Sequence, residues 1–162
     1  MTHSILQETI QAQDTYYMQQ ALRQAKRAFD KDEVPVGAVV VDQTGKIISR
    51  AYNKVEQSKS QVAHAEILAL TKAGKKTGNW RLENMTLYVT LEPCALCMHL
   101  ILNARIKCVV YSVSSPLFGY RLDKCGAFSL YNSSIEIRQR VCAEESSTLL
   151  KTFFQKKRKK RL

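Results

Sequence analysis

The stretch Val89-Thr90-Leu91-Glu92-Pro93-Cys94-Ala95-Leu96-Cys97 constrains this chain more than any global property does. Its apolar, β-branched opening reads as a buried strand, which stops at a proline. Two cysteines follow three residues apart, a spacing that puts both on one face of a starting helix. Upstream, Ala63-His64-Ala65-Glu66 opens a second helix-like segment. One imidazole and two thiols are soft donors of the kind that bind zinc. The positive end of a helix, together with the metal, would hold both cysteines as thiolates.

Around these stretches the sequence predicts alternating elements. Met18, Ala21, Leu22, Ala25, Ala28 and Phe29 recur at three- and four-residue steps, predicting a helix over 14–29 with Asp14 as its N-cap. Val34-Pro35-Val36-Gly37 ends that pattern. Ala38 to Val41 reads as a buried strand, Asp42-Gln43-Thr44-Gly45 as a turn, and Lys46 to Tyr52 as the hairpin partner. Asn53 to Val62 reads as a loop, and Ala65 to Ala73 as a helix ended by Gly74. Thr86 to Leu91 and Lys107 to Val113 read as strands flanking a helix at Ala95 to Asn103. Ser114 to Ser134 has no clear period, Ile135-Glu136-Ile137 alternates like an edge strand, and Ala143 to Phe154 closes as an amphipathic helix. The central alternation predicts parallel strands with helices on both faces, and the opening hairpin makes the sheet mixed. The expected fold is α/β, a three-layer α/β/α sandwich around a mixed five-stranded sheet. Residues 1–162 are expected to form one domain with a basic C-terminal helix or tail at about 151–162.

Charge and cysteine content narrow the partners and the compartment. Seven Lys or Arg and no acid follow Leu150, so +7 of the net +11 lies in the last twelve residues. Such a patch suits a polyanion, whose counterions it displaces, and also suits the C-terminal dipole of a helix. No apolar run approaches the roughly 20 residues that a membrane span needs, so no membrane partner is expected. The polar N-terminus lacks the pattern of a signal peptide, and five cysteines cannot all pair, so a cytoplasmic location is expected.

Three metal ligands leave a zinc one short of the four that a structural site uses, which points to an open, catalytic ion. Cys108, within a strand, and Cys142, beside a valine, read as core cysteines. His99 lies about 200° around the helix from Cys97 and points elsewhere. Cys125, in the segment without a period, remains open as a fourth ligand. Glu66, two residues from His64, can take a proton from activated water and deliver it to a leaving group.

His64-Ala65-Glu66 with Pro93-Cys94-Ala95-Leu96-Cys97 is the signature of the zinc nucleobase deaminases. Within the cytidine/deoxycytidylate deaminase superfamily, the chain resembles the bacterial tRNA-specific adenosine deaminases of the TadA type, almost end to end. Ala25-Lys26-Arg27-Ala28, Val34-Pro35-Val36-Gly37-Ala38-Val39, Tyr52-Asn53, Leu87-Tyr88-Val89-Thr90-Leu91-Glu92-Pro93-Cys94, Arg105-Ile106 and Leu149-Leu150 through Phe153-Phe154 carry the likeness. The resemblance implies a cytidine deaminase-like fold and hydrolysis of the wobble adenosine of a tRNA anticodon stem-loop to inosine. It implies one zinc ion per subunit on His64, Cys94 and Cys97, with Glu66 as the catalytic proton shuttle. Asn53 would contact the target nucleotide, and the protein would be a homodimer.

Three segments depart from the family pattern. Ser60-Gln61-Val62 stands where Asp-Pro-Ser or Asp-Pro-Thr is common, and Met98-His99-Leu100 where residues are usually small. On the substrate side, Ser115-Pro116-Leu117-Phe118-Gly119-Tyr120 replaces Asp-x-Lys-x-Gly-Ala and keeps only the glycine. Phe118 and Tyr120 are candidates for stacking on loop bases or for packing against the core or a dimer partner. Two other functions fit the zinc motif. A deaminase of free nucleobases or nucleosides, of the guanine or cytosine type, would have no use for a basic tail, and a non-catalytic zinc-stabilised RNA-binding module would have no use for Glu66.

Overall fold

β-Branched runs build the middle of the sheet, and small residues let helices close over it. The computed structural model describes residues 2–122 and 135–160. Strand β1 (Gly37–Val41) is buried throughout, and its hairpin partner is β2 (Ile47–Tyr52). Strands β3 (Thr86–Leu91), β4 (Cys108–Val113) and β5 (Glu136–Gln139) complete a sheet of order β2-β1-β3-β4-β5. β1 runs antiparallel to β2 and β3, whereas β3, β4 and β5 are mutually parallel.

Alternation along each strand divides the core between two faces. Val40, Leu87, Val89, Val109 and Tyr111 pack beneath α3 (Ala65–Thr77) and α4 (Ala95–Asn103). Val39, Val41, Tyr88 and Val110 face α1 (Thr2–Asp30), meeting Met18 and Ala21. Gly37 sits where α1 crosses β1: a Cβ there would run into the Ala21 carbonyl and the Ala25 amide, so only glycine fits. Helix α5 (Ala143–Lys159) joins the α1 side, where Phe153 packs edge-on against Phe29, ring centres 5.9 Å apart, and Ser146 donates to the Thr90 carbonyl at 2.6 Å. The three-layer sandwich with a mixed five-stranded sheet is therefore as expected.

Several local expectations are corrected. Asp14 is not an N-cap, because α1 starts three turns earlier. Its first turns are polar and leave Ile5 and Leu6 exposed, so no apolar stripe marks them. Asp14 is instead buried and accepts hydrogen bonds from the Tyr88 hydroxyl (2.8 Å) and Arg138 Nη2 (3.0 Å). α3 runs through Gly74 and stops at Gly78, whose φ of 69° is the left-handed cap that glycine tolerates. The expected loop over 53–62 contains a short helix, α2 (Val55–Ser58). The basic tail is helical as far as Lys159, with its cations at the end that the helix dipole favours.

Candidate zinc and active site

Two helices begin beside each other at the carboxyl end of β3, and each presents a metal-binding side chain from its first position. His64 is the N-cap of α3 and Cys94 the N-cap of α4. Neither side chain caps its own helix, a task that Ser, Thr, Asp or Asn would do better. Cys97 follows one turn into α4, fully buried. His64 Nδ1 lies 3.3 Å from Cys97 Sγ and 3.7 Å from Cys94 Sγ, and all three donor atoms fall within 4.8 Å of one another. Zinc–nitrogen and zinc–sulfur bonds in a tetrahedron put their donors about 3.5 Å apart, so this cluster fits the ion. Nδ1 is the nitrogen turned inward.

The charges in the cluster reinforce each other. The Cys97 thiol, with the His64 imidazole behind it, pulls Cys94 down to about 4, which favours its thiolate. Cys97 is pushed up by the Cys94 sulfur beside it and by burial, and Cys94 in turn raises His64. Glu66, in the first turn of α3, is 5% exposed, and burial pushes its carboxyl above the usual range.

Among the described residues, no further His, Cys, Asp or Glu joins the cluster. Cys108 is in the core, its thiol pushed up to about 12 by burial. Cys142 is only half-buried and packs at the edge of the α1 side, 3.7 Å from Gln19 Nε2. His99 turns back to the Ala95 carbonyl at 3.1 Å. Cys125 lies outside the described residues.

A cavity of about 470 Å³ opens over the cluster, with His64, Glu66, Cys94, Asn53, Glu33 and Phe118 in its wall. A larger groove, about 550 Å³, runs past Trp80, Leu82 and Leu100 between α3 and α4 and holds none of these site residues. Asn53 directly follows β2, at the same end of the sheet as the cluster, and is nearly buried. Its Nδ2 donates to Glu33 at 3.3 Å. A carboxylate only accepts, so the carboxamide oxygen is turned away from Glu33.

Residues 11–113 match the family described as the cytidine and deoxycytidylate deaminase zinc-binding region. The tRNA-specific adenosine deaminase of Bacillus subtilis (strain 168) is 41% identical over 151 residues, covering 92% of this chain and 93% of its own. That of Streptococcus pyogenes serotype M18 is 37% identical over 157 residues, covering 92% and 94%. The chain belongs to the tRNA-specific adenosine deaminase family. A solved structure from work on A-to-I editing by tRNA:A34 deaminases superposes on this family member with a TM-score of 0.78 at 35% identity, covering 84% of this chain and 99% of that one. A guanine deaminase from Nitrosomonas europaea shares the fold alone, with 21% identity, a TM-score of 0.77, and coverage of 86% of this chain and 83% of its own.

The structure adds two glutamates to which the sequence reading gave no role. Glu33, wholly buried, receives Asn53 and the N–H groups of Glu56 (3.1 Å) and Gln57 (2.6 Å), so it both orients Asn53 and caps α2. Glu92 receives the Ser115 N–H at 2.9 Å and Arg121 Nε at 2.9 Å. Glu92 could have been noticed, as a charged residue closing an apolar strand. Glu33 gives no such signal. The two aromatic candidates separate: Tyr120 is buried in the core under α3 and α4, while Phe118 is 75% exposed on the cavity wall.

Proposed function

We propose that this protein hydrolyses the wobble adenosine of a tRNA anticodon stem-loop to inosine, with one zinc ion held by His64, Cys94 and Cys97. One observation carries the reading: a His-Cys-Cys cluster and a buried Glu66 share a cavity with Asn53, in a chain of this family. Zinc held by His64, Cys94 and Cys97 would supply a bound water whose ionisation lies close to neutrality. The reaction forms a C6–O bond, breaks the C6–N bond and sends water's protons to departing ammonia. Glu66 carries those protons, and its burial suits a carboxyl that must both accept and donate near neutral pH. Asn53, held by Glu33, directs its carboxamide oxygen toward a donor on the base. The flipped nucleotide fills the cavity and excludes bulk water.

The basic helix supports an RNA substrate. Lys157 pairs with Asp32 at 2.7 Å, and the two line a surface depression that shares Glu56 with the cavity, so the cationic end of α5 lies on the neighbouring surface. Exposed Trp80, Leu96 and Leu100 give the second part of the reading, a homodimer, an apolar surface to use. No helix among the described residues is long and apolar enough to cross a membrane, and the proposed substrate belongs to the cytoplasm. The test is to incubate zinc-loaded protein with an anticodon stem-loop carrying the wobble adenosine and, separately, with free adenine, guanine and cytosine. Inosine from the stem-loop alone is expected. Product from free bases alone would overturn the reading.

A further inference from the structure

The loop after β4 presents an aromatic ring to the cavity on a braced backbone. Phe118 and Tyr120 are two residues apart, yet Tyr120 is 6% exposed and Phe118 75%. The backbone on both sides of Phe118 is pinned. The Ser115 N–H donates to Glu92, and the Tyr120 N–H donates to the Pro93 carbonyl at 2.9 Å. Between them, Gly119 forms an antiparallel bridge with Cys94. Arg121 closes the brace through Nε and Nη2, at 2.9 and 3.2 Å from the Glu92 carboxylate. A Cβ at residue 119 would lie 2.5 Å from that carboxylate, so the loop approaches Glu92 as closely as backbone can.

An exposed phenylalanine gains little from its own fold, and a fixed backbone lowers the entropy lost when the ring meets a partner. Its flat face suits another flat, π-faced group. Glu66 lies at the buried end of the same cavity, so the ring stands where the neighbours of the reacting base would pass rather than over that base. Bases in single-stranded RNA loops stack on such side chains. We infer that Phe118 is a specificity-determining residue that stacks on a nucleobase adjacent to the reacting adenine. This rests on the wobble-adenosine reading and names the structural element of the substrate that the divergent loop reads.

The test uses anticodon stem-loops with 2-aminopurine on the 5′ or the 3′ side of the target, bound to full-length, zinc-loaded Glu66→Ala protein. Stacking should quench one of the two probes, and adding Phe118→Ala should remove that quenching and weaken binding fivefold or more. Phe118→Trp should restore both. In the Glu66 enzyme, Phe118→Ala should raise KM by a similar factor and change kcat less. With an abasic nucleotide at the quenched position, wild-type binding should fall to the Phe118→Ala level and the substitution should cost nothing further. Equal weakening on intact and abasic RNA would overturn the inference, as would a Phe118→Ala protein that loses its dimer in sedimentation while the probe stays quenched. If the wild type deaminated only free bases, the wobble reading would fail by itself, and the probe on bound RNA would still decide the stacking.

Discussion

Glu66 and Glu92 line one cavity and are almost equally hidden from water, at 5% and 3% exposure, yet their surroundings assign them opposite work. Glu92 receives a guanidinium and the Ser115 amide, and so holds the loop. Burial is the largest influence on Glu66, followed by its own backbone N–H, the imidazole of His64 and the sulfurs of Cys94 and Cys97. Among the described residues no guanidinium or ammonium group pairs with it. Burial alone therefore does not decide what a glutamate can do. The partner set decides whether a buried glutamate is fixed or free to exchange a proton.

The largest expected effect lies on the Glu66 side. Glu66→Ala should lower kcat by about 10²–10⁴ while zinc, measured by elemental analysis, stays at one per chain. Loss of zinc instead would place Glu66 among the ligands and break the contrast. On the Glu92 side, Arg121→Ala should leave the metal in place and cost about 1–2 kcal/mol in urea unfolding, a figure already reduced because the Arg121 side chain is 46% exposed. Unchanged stability would show that the backbone donors hold Glu92 without the guanidinium.

The smallest effect concerns a carboxylate at the opposite extreme, exposed Asp32. The hydrogen bond from Lys157 holds its pKa below the ordinary 3.8. A lowered folded value means that the pair's contribution is complete above about pH 4 and is lost as pH falls through the lower value. An NMR titration should show this midpoint below 3.8, moving up toward it in Lys157→Ala while Lys160 and Lys156 remain, with thermal unfolding at neutral pH little changed.

The clustering of His64, Cys94 and Cys97, with Glu66 buried beside them, was legible because it follows from spacing along the chain: His64 and Glu66 two apart, Cys94 and Cys97 three apart, each pair at a helix start. The strands were legible because each is a short apolar run. What escaped depends on partners that sequence does not bring together. Glu33 meets the amides of α2 some 23 and 24 residues later, and Glu92 meets Arg121 after 29. The early turns of α1 escaped because a helix needs no apolar stripe where it projects into solvent. Phe118 and Tyr120 offered the same signal, and only the position of the loop separated them.

Gly119 has a bearing on retargeting the enzyme. Any larger residue at that position would collide with a carboxylate that Arg121 and the Ser115 amide prevent from moving aside. The side chains of Leu117 and Phe118, more than 70% exposed, meet no such limit. Residues 116–118 thus form a cassette beside a fixed glycine, open to grafting without touching the His64, Cys94 and Cys97 cluster, and a library for new RNA contexts should vary those three positions and leave the glycine alone.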